Sequence, residues 1–171
     1  MDVLGVGQAA GGLFWAINGI RLRQQLGSLV TEECEPMGDG WDPHLALTYL
    51  DELSAPRAGK FPAGHTALLV CSECGDLECG AVSAAVDFPD MTVTWTDFRW
   101  QQPSSWAGVA EGETPISFTF DRDGYLRAIE TAREKVTRAI TEQPEGLHPG
   151  SPQRSLPRWW HKLSRSRATP E

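Results

Sequence analysis

No lysine or arginine precedes Arg21. A secretory signal needs a positively charged start, so the sequence gives no sign of export, and the cytoplasm is the expected compartment. No run of 18 apolar residues is present, so no membrane-crossing helix is expected. The glycines near the start, Gly5-x-Gly7 and Gly11-Gly12, follow no predicted strand and lack the dinucleotide fingerprint. That argues against a nucleotide loop. No Ser/His/Asp or Cys/His arrangement can be assembled from spacing, so no catalytic residue is assigned. Of the four histidines, only His44 and His65 precede residue 143, and neither carries a pattern that marks a ligand or base. A second Cys-x-x-Cys hook is also missing.

What remains is a chain of 171 residues, 40% hydrophobic and 22% charged, which suits one globular domain with a real core. Its net charge of −8 is uneven. Residues 143–171 hold five basic side chains against two acidic ones, leaving −11 on residues 1–142. An acidic body repels nucleic acid and speeds encounter with a cationic partner. It also keeps a domain soluble.

Hydropathy patterning suggests a hairpin over residues 13–23, turning at Asn18-Gly19, a pair that accepts positive φ angles. Leu26, Leu29 and Val30 suggest a short helix that Gly27 weakens. Residues 35–41 read as a loop. Asp42-Pro43 opens a helix to about residue 53, with Leu45, Tyr49, Leu50 and Leu53 inward. Residues 67–70 and 80–87 read as strands, and 91–98 alternates with period two. Residues 99–114 read as a long surface loop. Ile116, Phe118 and Phe120 mark another strand. Asp121 then caps the strongest helix, with Tyr125, Leu126, Ile129, Ala132, Val136, Ala139 and Ile140 at helical spacing.

The densest chemistry is the run Cys71-Ser-Glu-Cys74-Gly-Asp-Leu-Glu-Cys79-Gly. In a reducing compartment, clustered thiols more often bind metal or do redox work than form structural disulfides. Zinc takes four ligands in a tetrahedron. Cys71, Cys74 and Cys79 supply three, and Cys34 would complete an all-thiolate set, with His44, His65 or a carboxylate as other fourth ligands. A switchable pair, Cys71 with Cys74, is a rival. Acidic Glu73, Asp76 and Glu78 oppose a low thiol pKa there. Packed, inert cysteines and an iron–sulfur cluster complete the options; the spacing does not match common ferredoxin runs.

Trp95 belongs in the core. Trp100 and Trp106 fall in the expected loop, where they either anchor a partner or cover the sheet. Residues 144–171, rich in proline, serine and arginine, are expected to be largely disordered. Within them, Trp159 and Trp160 sit among Arg158, Lys162, Arg165 and Arg167. Residues 156–167 could touch a membrane surface weakly or stack on single-stranded nucleic acid; a solvated tail without function is the plainer reading.

The stretch from Leu68 to Tyr125 resembles a group of small bacterial proteins of unknown activity. The shared features are Leu-Leu-Val-Cys71, Cys74-Gly-Asp-Leu-Glu-Cys79-Gly, Val93-Thr-Trp95-Thr-Asp-Phe98, and Phe118-Thr-Phe120-Asp121 leading to Tyr125. Some members carry the general label oxidoreductase. The resemblance implies a shared fold and no particular activity. Nothing in the group corresponds to Cys34, so it implies three thiols rather than four.

The expectation is therefore one α+β domain over residues 1–143. A mostly antiparallel sheet of five or six strands packs on the 121–142 helix, followed by the 144–171 tail. The expected function is a non-enzymatic interaction module, steadied by zinc at Cys71, Cys74, Cys79 and Cys34. It would suit an inhibitor or immunity-type protein for a basic partner, with no specific nucleic acid. The alternatives are a redox protein using Cys71 and Cys74, and attachment through the tail.

Overall fold

The computed structural model describes residues 1–9, 12–30, 34–38, 43–55, 59, 61, 64–71, 75–101 and 115–142. Cys74, Trp106, Trp159, Trp160 and the expected tail lie outside them. The chain divides into two units, Met1–Thr141 and Glu142–Glu171. The first is α+β and antiparallel, as the sequence patterning leads one to expect, but its strands divide between two sheets where one was expected.

The smaller sheet is built on a hairpin. Strand β1 (Leu4–Ala9) pairs with β2 (Gly12–Ile17), and β3 (Ile20–Arg21) pairs with the end of β2. Asn18 and Gly19 take φ values of 55° and 80°, the left-handed geometry that this turn demands. Leu13, Trp15 and Ile17 alternate inward along β2. The hairpin's second arm is shorter than its hydropathy suggests. Leu22 opens a helix, α1 (Leu22–Leu26), which stops at Gly27 with φ 53°. Strand β1 was hidden by its glycines. They lie inside it, and a Cβ at Gly7 would run into the Phe14 ring on the facing strand. Arg21 caps that ring from 4.0 Å.

Residues 35–41, expected to be loop, contribute two short strands. β4 (Cys34–Glu35) joins the larger sheet, and β5 (Met37–Gly38) joins β2. The helix expected after Asp42 is α2 (Pro43–Leu53). It turns Ala46, Tyr49, Leu50 and Leu53 inward and leaves Leu45 exposed.

The larger sheet has the order β4-β6-β7-β8-β9, with β6 (Thr66–Cys71), β7 (Ala81–Asp87), β8 (Thr92–Gln101) and β9 (Phe118–Asp121). β8 outruns the expected strand. Its alternation breaks at Asp97, which sits at φ 53°. Thr96 pairs with Ala85 and Arg99 with Ser83, so two residues of β8 oppose one of β7. This bulge puts Trp95 and Phe98 on one face, although three positions apart they would otherwise alternate. Both are fully buried. Trp95 meets Phe120 edge-on at 5.1 Å and Phe98 meets Phe118 at 5.7 Å.

Helix α3 (Arg122–Glu142) closes that aromatic face. The Gly124 amide donates to Asp121 Oδ2 at 2.8 Å, the expected N-terminal cap, a contribution of about 1 kcal/mol. Tyr125, Ala128, Ile129, Ala132 and Val136 form the buried stripe, while Ala139 faces out. The Tyr125 ring packs edge-on against Trp95 at 5.9 Å. Its hydroxyl donates to the Leu53 carbonyl at 3.0 Å, satisfying an end group of α2. Burial pushes the Tyr125 phenol above its usual pKa. Among the described residues no helix is long and apolar enough to cross a membrane.

Candidate functional site

The first candidate is the cysteine edge. β4 and β6 run antiparallel with Cys34 directly opposite Cys71 and Glu35 opposite Val70. Cys34 is fully buried; Cys71, the last residue of β6, is half-buried. Strand β6 ends at Cys71. Gly75, at φ 66°, sends its amide back to the Cys71 carbonyl at 2.9 Å. A 3-10 turn, Leu77–Cys79, follows, and the Gly80 amide, at φ 99°, donates to the Leu77 carbonyl at 2.8 Å. Glycine is what allows both reversals. Cys79 is thereby returned to the start of β7, with its side chain exposed. The fold therefore juxtaposes Cys34 with Cys71, one of the associations the sequence raised. Among the described residues no group of three His, Cys, Asp or Glu side chains is gathered to hold an ion; Cys74 lies outside them. His44 is an exposed residue of α2.

The second candidate was not legible in the spacing. His65, 1% exposed, lies immediately before β6. Its Nε2 is 3.2 Å from Asp97 Oδ2, and its Nδ1 is 3.5 Å from Ser83 Oγ. Asp97 also takes a 2.7 Å hydrogen bond from Arg99 Nε. Ser83 reaches Gln101 Oε1 at 2.5 Å and the Arg99 carbonyl at 3.4 Å. The Asp97 bulge makes this possible by turning a carboxylate toward the histidine. Desolvation holds His65 below its ordinary pKa, against the pull of Asp97; Arg99 adds to the lowering. The hydrogen bond from Arg99 holds Asp97 below the usual carboxylate range.

A serine, a histidine and an aspartate in line invite comparison with a hydrolytic triad. Access decides against it. Ser83 is 0% exposed and occupies a central strand, flanked by β6 and β8. Its hydroxyl is covered by His65, Gln101 and the Arg99 carbonyl, so a substrate carbonyl has no open approach to it. The arrangement instead satisfies polar groups that would be costly to bury alone. A small apolar gap between α2 and β6 is lined by Trp15, Tyr49, Leu50 and Leu68 among others. Among the described residues of its lining, Tyr49 is the one titratable side chain.

Trp100 is not in a loop. It belongs to β8, opposite Val82, and packs half-buried against the core. A strand pairing along its whole length keeps it there, so it is not a loop-borne anchor. The signals for the histidine network were present but faint. Ser83 interrupts the small apolar run Ala81-Val-Ser-Ala-Ala, and Asp97 interrupts the alternation of β8. No protein-family model, no curated protein and no solved structure matches this chain.

Proposed function

We propose that the domain is a non-enzymatic protein-interaction module whose sheet edge is braced by zinc at Cys34, Cys71, Cys74 and Cys79. The observation that carries this reading is the β4–β6 register, which sets Cys34 beside Cys71. Two separate chain segments then contribute thiols to one neighbourhood. β4 is only two residues long. So short an edge strand gains little from its own ladder, and a shared ion would fix it to β6 and the 71–80 turn. Metal bound by the folded chain and not by the unfolded one contributes directly to stability.

The interaction part of the reading rests on charge. Residues 1–142 carry −11, which attracts a basic protein and repels phosphate backbones. An inhibitor or immunity-type role suits that balance. The burial of Ser83 and His65 supports a structural use of the one triad-like alignment among the described residues.

Elemental analysis of the purified full chain tests the brace, read together with its unfolding temperature. About one zinc per chain is expected, lost with a fall in unfolding temperature when a strong chelator is added. Metal-free protein whose unfolding ignores the chelator would overturn it.

A further inference from the structure

The register of β4 on β6 has a chemical meaning that does not depend on a metal. Residues directly opposite in an antiparallel pair have Cα atoms roughly 4.5–5.5 Å apart. A disulfide needs a Cα separation of about 4.4–6.8 Å. Cys34 and Cys71 are such partners. Their register alone therefore brings them within the range a disulfide spans. Their burial differs in a useful way. Cys71 is half-buried and open to a small reagent, whereas Cys34 is sealed and has Cys71 as its cross-strand neighbour.

We propose that Cys34 and Cys71 are the oxidisable pair of this protein, closing a reversible cross-strand disulfide that locks the edge of the larger sheet. The partner of Cys71 is thus the residue across the ladder rather than Cys74, three positions along the chain. The oxidant class is a low-molecular-weight disulfide, for which oxidised glutathione is the probe. The Cys71 thiolate attacks one glutathione sulfur. The glutathione S–S bond breaks, and one glutathione leaves as its thiolate. The Cys34 thiolate then attacks the Cys71 sulfur of the mixed disulfide and expels the second glutathione. Two electrons pass from the protein to glutathione, and the two thiol protons end on the two reduced glutathione molecules. Excess reduced glutathione runs the steps backwards.

The bond would close the chain around the whole of α2, since that helix lies between the two cysteines. Constraining a loop of that size raises the unfolding temperature by roughly 5–15 °C. Metal and disulfide draw on the same two sulfurs, so each state excludes the other.

The test uses the full chain, incubated with oxidised glutathione, alkylated and digested with trypsin and a glutamate-specific protease. Trypsin separates Cys34 from the other three cysteines, and cleavage after Glu73 and Glu78 separates Cys71, Cys74 and Cys79 from one another. Mass spectrometry should find the Cys34 peptide joined to the Cys71 peptide. Cys34→Ser should leave glutathione trapped on Cys71. If that variant does not fold, the wild-type map decides alone. A Cys71–Cys74 or Cys74–Cys79 link in its place, or wild-type protein that stops at glutathionylated Cys71, overturns the proposal. Zinc is measured on the same sample before oxidation. Zinc-free protein that forms the Cys34–Cys71 bond supports this inference while removing the brace, so the two failures are distinguishable.

Discussion

One face of β8 carries Trp95 and Phe98, both fully buried near Phe118, Phe120 and Tyr125. The other carries Asp97, Arg99 and Gln101, gathered around His65 and Ser83. Ten residues of one strand make both. The aromatic face is held by area and ring geometry, which tolerate small displacements. The polar face is held by a few hydrogen bonds with fixed partners, so each lost group strands another. Asp97 divides the two. Its left-handed backbone absorbs the extra residue that lets Phe98 rejoin Trp95 while the carboxylate meets His65.

Breaking the aromatic face should cost most. Trp95→Ala removes a fully buried indole and should destabilise by about 3–5 kcal/mol in urea unfolding. A loss below about 1 kcal/mol would mean that the face is not the core. On the polar side, Asp97→Ala takes away the carboxylate between His65 and Arg99 and places a Cβ-bearing residue without a local hydrogen bond at φ 53°. A loss of about 1–3 kcal/mol is expected. Asp97→Asn, which tolerates that backbone, should lose less. Equal losses would assign the effect to charge and not to backbone. Tyr125→Phe keeps the rings and deletes one donor to Leu53, so about 1 kcal/mol is expected.

The subtlest difference is in pH. An unfolded histidine takes its proton near 6.5, while the fold holds His65 lower, chiefly by burial. Between those two values the unfolded chain binds more protons. Stability is therefore complete above about pH 6.5 and falls as the pH drops through that window. Asp97, depressed below 3.8 in the fold, adds a second loss at still lower pH. Urea midpoints measured from pH 7.5 to 4.5 should slope downward in the wild type and be flatter in His65→Gln. Parallel curves would show that His65 titrates alike in both states.

Helices α2 and α3 and strands β2, β6, β7 and β9 were legible because a single local rule fixes each. The stripe of α3 and its Asp121 cap follow from helical spacing, and Asn18-Gly19 from turn geometry. β1 escaped because Gly5 and Gly7 carry no side chain to show a period. Pairing with β2 and the Phe14 ring over Gly7 make it a strand. β4 and β5 escaped because two residues cannot show a pattern. The run of β8 through Trp100 follows from pairing with β7, information that lies in another part of the chain. Of the site, the thiol cluster was visible as spacing and the fourth cysteine as a candidate. The histidine network was not, since it joins β7, β8 and the residue before β6, which only the sheet brings together.

At the chain's beginning, Asp2 takes a 2.9 Å hydrogen bond from the Thr119 amide, across 117 positions. It also accepts from Asn18 at 2.9 Å. Strands β6 to β9, by contrast, follow one another as neighbours in the order in which they are made. Such a meander can assemble hairpin by hairpin, whereas the Asp2 stitch must wait until distant segments meet. The Asp2 contact is thus expected to form after the meander, and pulse-labelled hydrogen exchange should find the Thr119 amide protected after that of Trp95.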